Sequence, residues 1–311
     1  MSLLRIKGGK LEQIKETELK LEKDLQKLTE TNLETVFGLQ FVSTEFALNN
    51  LRIDTLAYDT ETGSFVIIEY KRDRSFSVID QGFAYLSLML NNKADFILEY
   101  SERIGKHLRR DDIDWSQSRV LFVAQSFTNH QLQAINFKDL PIELWEAKKY
   151  SDDLISFNQI KALQSAESIK TVSKNENVST VSKEVQTYSP EEILARFKGD
   201  AHELSLEIRR RILDVSGRFE EKPTKRYLGY KIEGKNIVAI DSSEGNVRIT
   251  FTRTRPEDLN DPEKKTSLRK KSLEHYNQYL TDIIIRKQDD IDYAMFLLKQ
   301  VMTRFQKEKI I

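Results

Sequence analysis

The chain has no cysteine, only five prolines and eleven glycines in 311 residues, and no net charge. Without cysteine there are no disulfides, thiolate zinc sites or cysteine nucleophiles, which suits a cytoplasmic protein. No apolar run approaches the roughly 18 residues that a membrane span needs. The N-terminal MSLLRIKGGK lacks the apolar core of a signal peptide. These absences predict a cytoplasmic protein with no membrane partner. The four histidines, His107, His130, His202 and His275, are scattered and show neither HExxH nor zinc-like spacing. There is no G-x-S-x-G elbow and no phosphate-binding Walker loop.

What is present is 39% hydrophobic and 32% charged, the composition of a globular chain with a wet surface. Strand-like and helix-like runs alternate through the first half, which predicts an α/β fold. Residues 165–188, rich in Ser, Thr, Asn and Lys, predict a flexible linker. The expected organisation is therefore an α/β domain over 1–164 and a second, smaller α+β domain over 189–311. In the second domain Ser189, Pro190 and Glu192 form a helix-start pattern. Near the N-terminus, LLRIKGGKLEQI reads as a short strand, a Gly-Gly turn and a helix start, and Leu11, Ile14, Leu21, Leu25 and Leu28 keep heptad-like spacing. They predict a helix along the domain, with a homodimer contact as one role.

Charge is uneven. Residues 1–187 carry 24 basic and 28 acidic side chains, and residues 188–311 carry 25 and 21, a net +4. Local basic clusters include Arg209, Arg210 and Arg211, and then Lys264, Lys265, Arg269, Lys270 and Lys271. They read either as solvated faces or as contacts to a nucleic-acid backbone.

The chemistry concentrates in RIDTLAYDTETGSFVIIEYK, residues 52–71. Two apolar strands flank a polar turn, and acids interrupt them at Asp54 and Glu69. With the turn centred between Glu61 and Thr62, Asp54 falls opposite Glu69 and Leu56 opposite Ile67. Glu69 and Lys71 share a face because side chains alternate along a strand. Two opposed carboxylates repel, and a divalent cation between them reverses the sign. Oxygen ligands from Asp54, Glu69, a backbone carbonyl and water suit Mg²⁺ or Mn²⁺.

Asp54, fourteen intervening residues and then Glu69-Tyr70-Lys71 resembles the core motif of the PD-(D/E)xK nuclease superfamily. Glu34, in NLETVFG, matches a further acid that family members often carry on the preceding helix. Gln81 and Tyr85, in DQGFAY, resemble the QxxxY motif of the RecB-like branch. One departure is Ile53 where the family has proline. The resemblance covers about residues 20–150 and is to archaeal mismatch-nuclease and RecB-like members. It implies a restriction-endonuclease-like mixed sheet flanked by helices and a metal-dependent, DNA-cleaving hydrolase. Glu34, Asp54, Glu69 and the Tyr70 carbonyl would hold Mg²⁺ or Mn²⁺, Lys71 would serve the attacking water, and Gln81 and Tyr85 would support the site. The second domain resembles a domain of unknown function often fused to such nucleases.

Each residue also has a plainer reading: Glu69 and Lys71 as a strand-end ion pair, Tyr85 as core, Glu34 as surface charge. A catalytically inactive, nuclease-like module that binds DNA or assembles a defence complex is the alternative function. A protein–protein scaffold is a third.

Overall fold

The computed structural model describes residues 3–19, 21–71, 77–137, 140–161, 181–276 and 278–307. The chain divides into two compact units, 1–187 and 188–311. No helix among the described residues is long and apolar enough to cross a membrane.

Unit 1 begins with a two-stranded hairpin, β1 (Leu4–Lys7) and β2 (Lys10–Gln13). This replaces the helix expected over 11–28. Gly8 and Gly9 both have positive φ, the backbone of a tight hairpin turn, so the chain reverses before a helix can start. A short β3 (Glu16–Thr17) follows, and the helix α1 is confined to Glu22–Thr31. Of the heptad-like leucines Leu25 is buried, whereas Leu11, Leu21 and Leu28 are exposed. A one-turn α2 (Leu33–Phe37) ends at Gly38, whose positive φ closes the helix.

Then come β4 (Gln40–Leu48), β5 (Leu51–Asp59) and β6 (Ser64–Lys71), paired antiparallel. Two helices, α3 (Val78–Asn91) and α4 (Lys93–Ile104), carry the chain to β7 (Arg119–Ala124). The apolar stretch ADFILEY is helical and belongs to α4. A short α5 (Asn129–Ala134) leads to β8 (Ile142–Tyr150) and β9 (Ile155–Ile160).

The seven strands form one sheet in the order β3-β8-β7-β6-β5-β4, with β9 also on β8. The β6–β7 and β7–β8 pairs are parallel and the others antiparallel, so the sheet is mixed and flanked by helices. β6 is buried along almost its whole length, as a central strand with helices on both faces must be. One core joins Leu56, Phe65 and Ile67 with Phe83, Leu86 and Met89 of α3 and Phe96 of α4. The other joins Ala57, Val66, Ile68 and Tyr70 with Leu25, Leu33 and Phe37 of α1 and α2.

Of the expected linker 165–188, residues 165–180 lie outside the described residues. Residues 181–187 pack on unit 1. Val181 and Val185 are buried in the α3–α4 core, and Gln186 N–H donates to the Ser116 carbonyl at 2.9 Å. Two valines four residues apart on one helical turn make an apolar face that the polar average composition conceals.

Unit 2 is α+β. Its elements are α6 (Pro190–Leu194), α7 (Asp200–Val215), β10 (Glu220–Pro223), β11 (Leu228–Ile232), β12 (Lys235–Ser243), β13 (Asn246–Thr252), β14 (Thr266–Leu268), α8 (Ser272–Tyr276), β15 (Leu280–Ile285) and α9 (Gln288–Lys307). The six strands run in the order β10-β11-β12-β13-β15-β14. Val238, Ile240, Ile249, Phe251 and Ile283 of the sheet meet Ile208 and Ile212 of α7 and Leu297 and Leu298 of α9. Ser189 caps α6 with the expected reciprocal bonds to and from Glu192.

Candidate metal and active site

The hairpin register is the one the sequence predicts: Leu56 pairs with Ile67 and Thr55 with Ile68. One step further the strands change contact. The Asp54 carboxylate, not a main-chain carbonyl, accepts the Tyr70 N–H at 2.9 Å. A strand residue turns its N–H and C=O to the same side, so the Tyr70 carbonyl faces the same edge as Asp54.

Glu69 is buried, 4% exposed, and its two oxygens differ. Oε1 accepts from Lys71 Nζ at 2.6 Å and from Gln81 Nε2 at 3.0 Å. Oε2 is buried without a hydrogen-bond partner among the described residues. Gln81 Nε2 also reaches Tyr85 Oη at 3.2 Å, and Tyr85 Oη donates to the Arg52 carbonyl at 3.1 Å. α3 thus ties itself to both strands through two residues one helical turn apart. Ser77 caps this helix, accepting from Asp80 N–H, which places Gln81 in its first turns.

Electrostatics follow the geometry. Burial, and next the charge of Glu69, push the Asp54 carboxyl up to about 7, while the Tyr70 N–H and Lys71 pull against them. Burial, and then Glu69, hold the Tyr85 hydroxyl protonated far above its ordinary range, so it acts as a donor and not as a base.

The structure therefore brings together Asp54, Glu69, Tyr70, Lys71, Gln81 and Tyr85. It does not bring Glu34 to them. Glu34 is exposed on α2, and no hydrogen bond or ion pair among the described residues links it to either acid. The helix acid whose charge reaches Asp54 is Glu22, at the start of α1. The α1–α2 break at Asn32 puts Glu34 on α2, whereas α1 is the helix that reaches the Asp54 carbonyl. Sequence reasoning also passed over Gln26, a buried glutamine on α1 that donates to the Asp54 carbonyl at 2.9 Å. Its only signal is a polar residue beside Leu25 on the buried side of the helix.

Among the described residues no group of three or more His, Cys, Asp and Glu side chains is arranged to hold a metal. The donor set at Asp54 and Glu69 is two carboxylates and a carbonyl edge. That fits Mg²⁺, which keeps several waters and takes one or two carboxylates from the protein. The unpartnered Glu69 Oε2 and the mutual repulsion of the acids fit a cation between them.

The basic clusters of unit 2 are largely neutralised internally. Arg209 binds Glu221 through two hydrogen bonds and pairs with Glu191. Arg210 pairs with Glu207 and Asp214, and Arg211 with Asp292. Lys265 pairs with Glu263 and Asp290, and Arg269 with Asp282. Lys264, Lys270 and Lys271 are exposed. The nucleic-acid surface expected from these runs is thus reduced, because acids both near in sequence, such as Glu207 and Asp214, and distant from it, such as Glu221 and Asp292, pair with them.

No family model matches the chain. Among solved structures it is similar to a repair endonuclease from Pyrococcus abyssi, at 17% identity over 42% of this chain and 48% of that one, with a TM-score of 0.25. It is also similar to EndoMS in a complex with double-stranded DNA, at 20% identity over 42% and 47%, TM-score 0.24. SfsA of Pyrococcus furiosus in complex with Ca²⁺ matches at 14% identity over 51% and 69%, TM-score 0.25. The alignments span about half the length of the first two structures, and such TM-scores are too low to bear on function. A protein of Haemophilus influenzae described as uncharacterized is 41% identical over 303 residues, covering 97% of this chain and 99% of its own length. At that identity and coverage, this chain belongs to the same family as the Haemophilus influenzae protein.

Proposed function

We infer that the protein is a metal-dependent nuclease that hydrolyses phosphodiester bonds in DNA, with its active site at Asp54, Glu69 and Lys71. The observation that carries this reading is a buried Glu69, one oxygen of which has no hydrogen-bond partner among the described residues, beside an Asp54 whose proton affinity is raised. Two carboxylates in that arrangement are unfavourable alone and favourable around a divalent cation. The motif order, acid strand, ExK strand and QxxxY helix, supports the nuclease class and DNA as substrate.

Asp54 and Glu69 would hold Mg²⁺ or Mn²⁺ together with the Tyr70 carbonyl. Bound there, the ion would lower the pKa of a water and polarise a phosphate oxygen. Lys71 supplies a fixed positive charge beside Glu69, where it offsets negative charge that builds on the phosphate. Gln81 holds Glu69 Oε1, which would leave Oε2 to take a divalent ion. Tyr85 anchors α3 to the start of β5 through the Arg52 carbonyl.

The test is cleavage of linear, branched and mismatched DNA with Mg²⁺ or Mn²⁺, by wild type and by Asp54→Ala and Glu69→Ala. Metal-dependent cleavage lost in both variants is expected. Wild type that binds Mn²⁺ and cuts none of these substrates would instead fit a nuclease-like module that binds DNA or assembles a complex.

A further inference from the structure

From the opposite face of the sheet, α1 inserts a second polar cluster against β5. The Gln26 side-chain amide lies 2.9 Å from the Asp54 carbonyl, 3.2 Å from Thr44 Oγ1 and 3.1 Å from Glu30 Oε1. Glu30 Oε1 in turn accepts from Thr55 Oγ1 at 2.6 Å. Gln26 is buried, so these partners replace its water.

The strand needs such a hold at this point. β4–β5 pairing passes from Phe46↔Ile53 to Thr44↔Thr55, stepping over Glu45 and Asp54. Glu45 has a φ of 53°, a left-handed backbone that strands do not use. On the other flank the β5–β6 pairing stops at Thr55↔Ile68. Ile53 and Leu56 both pack into the α3–α4 core, which strict alternation forbids, so β5 turns at Asp54. Asp54 thus sits in a gap of the ladder on both sides. Three side-chain contacts bridge the gap: its own carboxylate to Tyr70 N–H, and Gln26 at 2.9 Å and the Thr44 hydroxyl at 3.5 Å to its carbonyl.

We propose that Gln26 is the positioning residue of the carboxylate site, fixing the Asp54 main chain from behind so that its side chain meets Tyr70 and Glu69. The cation-binding part of this proposal rests on the function inferred above. Metal sites lose affinity when the groups that orient their ligands are removed, typically by about 10- to 100-fold. Gln26 differs from Gln81 in acting on a peptide carbonyl and not on a carboxylate.

The experiment uses the full chain as wild type, Gln26→Met and Thr55→Val. Thr55→Val breaks the neighbouring Thr55–Glu30 bond and leaves the Asp54 carbonyl its donor, so it controls for general loosening of α1. Two readouts are taken: Mn²⁺ affinity by calorimetry, and hydrogen exchange of the Tyr70 amide in metal-free protein. In Gln26→Met, Mn²⁺ affinity is expected to fall about 10-fold or more and the Tyr70 amide to exchange at least about 10-fold faster. Thr55→Val is expected to keep both values near wild type while lowering the thermal midpoint. Should Gln26→Met fail to fold, Gln26→Asn stays neutral and polar but is one methylene too short to reach the Asp54 carbonyl, and is read in the same way. Unchanged affinity and exchange in the Gln26 variant, or equal losses in both variants, would overturn the positioning role. A wild type that binds no Mn²⁺ overturns the inferred function, and the Tyr70 exchange rate still decides what Gln26 does.

Discussion

Asp54→Asn should make the metal-free protein more stable at pH 8 and unable to hold a divalent ion. Asparagine keeps an oxygen for the Tyr70 N–H and removes the charge beside Glu69. The folded carboxyl titrates at about 7 against an ordinary value of 3.8. At about 1.4 kcal/mol per pH unit this gap corresponds to ~4 kcal/mol. Asp54 is only part-buried, and solvent screening reduces the figure to roughly 1–2 kcal/mol. The sign follows from proton counting. Below pH 4 both folded and unfolded chains hold the proton, and the carboxyl costs nothing relative to the amide. Between pH 4 and 7 the unfolded chain loses its proton first, so wild-type stability falls as pH rises. Above about 7 both states are ionised and the whole cost is present. The assay is thermal and urea unfolding of both proteins at pH 5, 6, 7 and 8 in chelator, following unit 1. Asp54→Asn should gain ~2–8 °C at pH 8 and about a third of that at pH 5. A difference that stays flat with pH, or an Asp54→Asn protein that is less stable at pH 8, would refute the crowding of charge at this site.

Lys71→Met should keep Mn²⁺ binding, measured by calorimetry, and lower DNA cleavage by about 10²–10³, because it removes charge stabilisation needed at the transition state; cleavage unchanged from wild type would reduce Lys71 to an ion-pair partner of Glu69. Gly82→Ala should destabilise the protein by about 1–3 kcal/mol in urea unfolding, although alanine favours helices more than glycine does. The added Cβ would collide with Ile142 Cδ1 of β8 and stand 2.9 Å from Ile142 Cγ1.

The parts of the site that follow a local period were legible in the sequence. The register of Leu56 on Ile67 follows from a polar turn between two alternating strands. Gln81 and Tyr85 meet the strands from one helix face because they are one turn apart. The parts that depend on contacts distant in the chain were not legible. Glu34 matches the helix acid of the resembled family, but it lies on α2, past the break at Asn32, and is exposed. The basic run at Arg209 to Arg211 looked available because its partners Glu221 and Asp292 lie elsewhere in the chain. The fold class follows from alternating strands and helices. At the start of the chain the expected strand and Gly-Gly turn are present, but the segment after the turn pairs back as β2 where leucine spacing indicated a helix.

The packing of Val181 and Val185 bears on where unit 1 can be cut. A polypeptide ending at residue 164, the boundary that composition suggests, would lack both side chains, which are 0% and 3% exposed. Burying a valine contributes about 1.5–3 kcal/mol, so their loss is a large fraction of the stability of a single domain. The shortened chain would also forfeit the Gln186 bond to Ser116 and the Lys93–Glu184 ion pair. It would expose apolar surface beside Trp115 and α4, where two unfolding molecules can stick to each other. Poor yield or aggregation of such a fragment would report a missing piece of its core, whereas a fragment carried through Thr187 retains that piece.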